Sequence, residues 1–202
     1  MFKSMVDNLI LCESFKDMLT FLTSIIAVGS FVKVIMEYTK AQSWKRAEFL
    51  ASVMKEFNSD PNVRLARTII DWKSRDFELF PDQKNEEDKR VWINDQVLIE
   101  ALTPEDWKGT IENKVGYENS EVRIRDIFDA FFERLATINH YLDTKLITES
   151  DLRPYITYWI GLINDSRSEE LLQQIHAFLK RYKYDDVIKL LETSKKITQS
   201  TK

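Results

Sequence analysis

Residues 18–36 read MLTFLTSIIAVGSFVKVIM, a run whose single charge is Lys33. Coiled as an α-helix it is about 28 Å long at 1.5 Å per residue, close to the roughly 30 Å hydrocarbon thickness of a bilayer. A soluble fold would have to bury this run on every side, whereas a membrane accepts it as it stands. Lys33 lies one turn from the C-terminal end, where its butyl stem can carry the ammonium to the interface. Tyr38 and Trp44 follow at headgroup depth, the place interfacial aromatics occupy.

Ala27, Val28 and Gly29 have the small-x-small form of a signal-peptide cleavage site, but the flank does not suit one. A signal peptide begins short and positive. Residues 1–17 set Lys3 and Lys16 against Asp7, Glu13 and Asp17, and the apolar run continues past Gly29 to Met36. The expectation is an uncleaved span at 18–38 after a flank at 1–17. Lys33, Lys40, Lys45 and Arg46 crowd its C-terminal edge, which predicts the N-terminus outside and the rest of the chain in the cytoplasm. The Asn164-Asp165-Ser166 sequon is then irrelevant. On a helical wheel Thr20, Thr23, Ala27, Ser30 and Glu37 share one arc, a small and polar seam through which two such helices could associate as a homo-oligomer. The competing reading has each hydroxyl bonded to its own preceding turn.

Beyond the span, 4 Gly and 4 Pro among 202 residues favour long helices. No breaker precedes Asn58, so the spanning helix continues as a stalk over 39–58, with Phe49, Val53 and Phe57 on one face. Asp60 followed by Pro61 starts a new helix with Val63, Ala66, Ile69 and Ile70 as its stripe. The segment FELFPDQKNEED reads as a polar loop opened by Pro81. Val91, Ile93, Val97, Leu98 and Leu102 recur with helical spacing, and Thr103 before Pro104 supplies another start. After a patternless stretch at 109–120, Val122, Ile124, Ile127, Phe128, Phe131, Leu135, Ile138, Tyr141 and Leu142 mark the central core helix. Asp151 is the expected cap of the next helix, placing Pro154 in its first turn. The stretch LLQQIHAFLKRYKYDDVIKLLE closes the fold as two helices or one bent at Tyr184. The expected class is all-α, with a compact helical domain at 59–193 and a polar tail at 194–202.

Chemistry is sparsely signalled. His140 and His176 are the only histidines and Cys12 the only cysteine, so neither a Glu-x-x-His di-iron pair nor a Cys-x-x-Cys zinc knuckle occurs. No Walker loop, Gly-x-Ser-x-Gly or His-Glu-x-x-His is present, and the expectation is a chain with no cofactor that is not an enzyme. A net charge of −4 argues against nucleic acid as a partner. Two clusters invite a ligand. Arg125 and Asp126 could meet the aromatic helix of Arg153, Tyr155, Tyr158 and Trp159 to form a polar pocket, and Lys180, Arg181 and Lys183 form a basic patch beside Tyr182 and Tyr184. Each has a plainer reading, as wet-edged core aromatics and as favourable charge at a helix C-terminus.

In order, the phrases DPNVRLARTIIDW, SEVRIRDIFDAFFERL, LITESDLRPYITYWIGLI and FLKRYKYDDVIKLL resemble an uncharacterised family of small bacterial proteins with one N-terminal membrane span and a helical cytosolic domain. The resemblance covers roughly residues 15–193 and rests on packing and capping patterns. It implies an all-α fold and a bacterial inner-membrane location, and it conveys no activity and no site residues. The expected function is a membrane-anchored interaction or regulatory protein, in the manner of a defence or stress component, that binds a cytoplasmic protein or a small signal. The alternatives are an oligomeric membrane effector acting through the Thr20 to Glu37 seam, and an enzyme using an Arg125, Asp126 and Arg153 pocket.

Overall fold

Asp60 separates two helices. Its Oδ1 accepts the backbone N–H groups of Asn62 and Val63 at 2.9 and 3.3 Å, and Pro61 occupies the first helical position. There the missing N–H has no intrahelical partner to lose. The computed structural model describes residues 2–104, 117–165 and 168–199, with side chains there except at 2–15, 17, 157, 164–165 and 194–199.

The described elements are α1 (Phe2–Ser59), α2 (Pro61–Asp71), β1 (Arg75–Glu78), α3 (Glu86–Lys89), β2 (Arg90–Ile93), α4 (Asp95–Leu102), α5 (Asn119–Asp143), α6 (Glu149–Asp165), α7 (Glu169–Arg181) and α8 (Asp185–Gln199). The fold is all-α apart from one hairpin. The chain divides into two units, residues 1–48 and residues 49–202. The first is a single stretch of α1, helical throughout its described length.

In the second unit α5 is the hub, packing against α2, α4 and α8, while α7 lies on α4 and α8, and α6 on α2 and α8. Its capping is explicit, since the Glu121 carboxylate accepts the Glu118 N–H at 2.8 Å. Ile124, Ile127, Phe128, Phe131, Phe132, Leu135 and Ile138 are all at most 1% exposed. Their rings form a continuous path: Phe57 to Phe131 at 6.1 Å between centroids, Phe131 to Phe132 at 5.7 Å, and Phe132 to Phe178 at 5.9 Å. Val122, which shares the α5 periodicity, is instead 43% exposed because it lies in the first turn, at the edge of the stripe.

Four expectations change. The segment read as a polar loop begins inside β1, which pairs antiparallel with β2 in the register Arg75↔Ile93, Asp76↔Trp92, Phe77↔Val91 and Glu78↔Arg90. Val91 and Ile93 stand two residues apart, a strand period, and Ile93 and Phe77 are both buried. Helical recurrence begins only at α4, where Asn94 Oδ1 accepts the Val97 N–H at 3.0 Å. Thr103 closes α4; the helix expected after Pro104 lies outside the described residues.

The α6 cap is Thr148, not Asp151. Thr148 Oγ1 accepts the Asp151 N–H at 3.3 Å while Asp151 Oδ2 accepts the Thr148 N–H at 3.0 Å, a reciprocal box that starts the helix three residues early and leaves Pro154 inside it. The stalk at 39–58 continues α1 without a break, as expected, and its Leu50, Met54 and Phe57 are buried in the second unit's core. At the other end α8 continues through the expected tail to Gln199.

The α7–α8 junction is two helices, as one of the sequence alternatives had it. The Tyr184 N–H bonds Leu179 O at 2.9 Å around Lys183, whose φ is 60°. Lys145 makes the same left-handed stop after α5, with the Leu146 N–H on Tyr141 O at 3.0 Å. This is the position glycine usually fills, and a side chain there costs about 1–2 kcal/mol. Glycine in the unfolded chain returns part of that. Lys183→Gly should therefore raise stability by about 0.5–1 kcal/mol, read as a higher urea midpoint with unchanged slope.

Candidate functional site

The apolar stretch of α1 meets no protein over its described length. Phe21, Ile25, Ile26, Val28, Phe31, Val34 and Met36 are each 54–68% exposed, and an 18-residue window there has mean hydropathy 2.0 with none of it buried. This helix is long and apolar enough to cross a membrane. On its polar arc Thr20 Oγ1 donates to Lys16 O at 2.9 Å, and Thr23 Oγ1 reaches Leu19 O at 3.0 Å and Thr20 O at 2.9 Å. These hydroxyls are therefore satisfied within their own helix. Glu37 pairs with Lys33 at 3.8 Å, while Ala27 and Ser30 are exposed.

Arg125 is a clamp on the end of α4. Its Nη1 donates to Ala101 O at 3.0 Å and Thr103 O at 3.2 Å, and its Nη2 to the Tyr182 hydroxyl at 2.6 Å. The guanidinium lies over the rings of Tyr117, Phe178 and Tyr182 at 4.4, 5.0 and 5.1 Å. Gln174 adds a bond to Leu102 O at 3.1 Å, and the Tyr117 hydroxyl one to Thr103 O at 2.7 Å. The last carbonyls of α4, which have no partner within their own helix, are thus taken up by α5, α7 and Tyr117. A planar, forked cation does this and a lysine cannot. Arg125→Met should cost about 3 kcal/mol, with Arg125→Lys recovering less than half, as measured by denaturant titration.

The pocket expected between Arg125, Asp126 and the α6 aromatics is not formed, because the two groups are held by different neighbours. Tyr158 donates to Asp71 Oδ1 at 2.6 Å, and this bond pushes its pKa up. Trp159 lies under Arg67 of α2, 4.0 Å from guanidinium carbon to ring centre. Arg67 also donates through Nη1 to Asn58 Oδ1, and desolvation lowers its pKa. Arg153 and Tyr155 are exposed on the outer side of α6, and Asp126 is exposed on α5. Where the sequence suggested one pocket, the structure has two cation–aromatic joints, α5 with α4 and α7, and α2 with α6.

Lys180, Arg181 and Lys183 are all exposed, the first two in the last turn of α7 and the third at the left-handed stop. Of the tyrosines beside them Tyr182 is 41% exposed, while Tyr184 turns inward. Tyr184 donates to Asp129 Oδ1 at 3.1 Å and stacks on Phe178. Burial above all pushes the Asp129 carboxyl up, the Tyr184 bond and Arg125 pull it back, and Glu133 and Asp126 add to the rise. Burial, and then the Asp129 charge, push the Tyr184 phenol well above its ordinary value.

For both groups the folded pKa exceeds the unfolded one, so each favours the folded state at low pH and loses that contribution as pH rises. For Asp129 the loss runs upward from the ordinary carboxylate range, and for Tyr184 upward from 10.0. Tyr184→Phe should cost about 1–2 kcal/mol at neutral pH. The difference from the parent should shrink above pH 10, seen in denaturation midpoints across an alkaline series.

A polar seam escapes the sequence reading. Asn139, 2% exposed, donates to Asp186 Oδ1 at 3.0 Å and Asp143 Oδ2 at 3.3 Å, and Lys189 Nζ reaches Asp143 Oδ1 at 2.6 Å. The signal for it is Asn139 itself, a polar residue four places after Leu135 on the apolar stripe. A cleft of about 30 Å³ between α1 and α5, lined by Val53, Glu56, Phe57, Arg134, Thr137, Ile138 and Tyr141, has room for a water or two. Among the described residues no group of three or more His, Cys, Asp or Glu could hold a metal. Compared with known protein families, curated proteins and solved structures, the chain matches none.

Proposed function

We propose that the chain is a single-pass inner-membrane protein whose helical unit faces the cytoplasm and works by binding a protein or a small signal. The observation that carries this reading is the exposed apolar helix, which has no protein surface to cover it and the length of a bilayer core. Orientation follows from the cations gathered at its C-terminal edge, Lys40, Lys45 and Arg46. The polar residues most suggestive of chemistry, Arg125, Tyr158 and Trp159, are engaged in holding helices together, which supports a binding role over a catalytic one. The hydroxyl bonds of Thr20 and Thr23 likewise support an anchor over a self-associating seam.

Reporter fusions test the arrangement. A fluorescent protein that matures only in the cytoplasm should be bright at the C-terminus, and a phosphatase active only outside should be silent there. The reverse pattern would remove the cytoplasmic reading. For the membrane effector, Thr23→Leu with Ser30→Leu should leave the mass of the detergent-solubilised protein unchanged; a fall to a smaller species would restore the seam.

A further inference from the structure

We propose that the outer edge of β1 docks an extended, basic segment of a partner protein, which adds a strand to the two-stranded sheet. This names a partner for the binding role proposed above and rests on that reading. The Leu79 N–H bonds Lys89 O at 2.9 Å and so continues the β1–β2 register by one pair. Antiparallel pairs alternate between bonded and unbonded. Arg75 and Phe77 therefore bond β2, whereas the N–H and C=O groups of Asp76 and Glu78 point away from it. Among the described residues those groups receive one bond, from Arg90 Nη2 to Asp76 O at 3.3 Å. The strand is an open edge, a template for pairing with another chain.

The side chains select the occupant. Phe77 is buried, so Asp76 and Glu78 stand on the opposite face, both exposed, and among the described residues neither carboxylate has a hydrogen-bond or ion-pair partner. A strand laid against β1 sets alternate side chains about 5 Å from each carboxylate. Two cations two residues apart match them, whereas acids there meet like charge. Trp92, paired with Asp76 and 55% exposed, offers an indole to the long stem of such a cation. The field around the edge has the same sign, since residues 76–88 hold Asp76, Glu78, Asp82, Glu86, Glu87 and Asp88 against Lys84. In strand addition main-chain bonds supply affinity and alternate side chains supply specificity.

The test is fluorescence anisotropy of labelled short peptides titrated with the full-length chain in an uncharged detergent. A peptide alternating valine and lysine should bind, and bind less tightly in high salt. A peptide alternating valine and glutamate, and a backbone N-methylated copy of the lysine peptide, should not bind. Asp76→Asn with Glu78→Gln should weaken the lysine peptide about tenfold, the effect of losing two exposed ion pairs. Asp82→Asn with Glu87→Gln, the same change of charge off the strand, should weaken it less than about twofold. Equal loss in the two double variants, binding of the methylated copy, or no preference for lysine over glutamate overturns the proposal and leaves Asp76 and Glu78 as charges that guard the edge. Each of these outcomes can stand beside a bright cytoplasmic fusion, and so is separate from failure of the arrangement proposed above.

Discussion

Phe132→Ala should cost the helical unit about 3–5 kcal/mol, the range for removing a fully buried phenyl ring. Phe132 is 1% exposed and stands where three helices meet, with the rings of Phe128, Phe178 and Tyr184 at 5.8, 5.9 and 5.7 Å. No neighbour can collapse into the space without leaving its own contacts, so the cavity term adds to the lost transfer energy. Against a total stability of about 5–15 kcal/mol this is enough to leave a sizeable unfolded fraction at 37 °C. Val122→Ala, at a position 43% exposed on the same helix, should change stability by about 0.5 kcal/mol or less. Urea titrations of both variants in mild detergent, followed by circular dichroism, check the pair. Equal costs would mean that α5 does not present the face described.

Ile26→Arg with Val28→Arg should remove the chain from the membrane fraction. Both side chains lie near the middle of the apolar run, 60% and 63% exposed, so neither guanidinium could reach an interface by its own length or find a protein partner. Replacing an aliphatic residue by arginine at the centre of a span costs about 3 kcal/mol, so the pair shifts insertion by about 6 kcal/mol. Fractionation of cells making the double variant should show the protein aggregated or degraded. Lys45→Arg, a change of cation at the edge, should fractionate like the parent.

Local physics at single positions made much of this fold legible. Asp60-Pro61 announces its helix because the cap and the fixed φ act within three residues, and α5 shows its face because seven turns repeat one stripe. The hairpin was hidden because its strands are four residues each, too short for alternation to show. The Asp151 start expected from the sequence gives way to Thr148 for a physical reason. Pro154 counts against a helix already begun, but the two bonds between Thr148 and Asp151 hold the start in place. A reciprocal cap three residues long outweighs the proline.

The candidate site was legible in its residue types and not in its pairings. Arg125, Trp159 and Tyr158 stand out by type as a cation and large aromatics on helices, yet their partners are Tyr182, Arg67 and Asp71, at sequence distances of 57, 92 and 87. Spacing along one helix reports which residues share a face. It does not report which other helix that face will meet. Asn139 illustrates the same limit, since its role depends on Asp186 of α8.

The span itself is tested most directly by alkaline carbonate treatment of membranes from cells making the full-length chain. The chain should stay in the pellet at pH 11 and come free only in detergent. Recovery in the carbonate supernatant as a monodisperse soluble protein would contradict a helix that crosses the bilayer between Met18 and Met36.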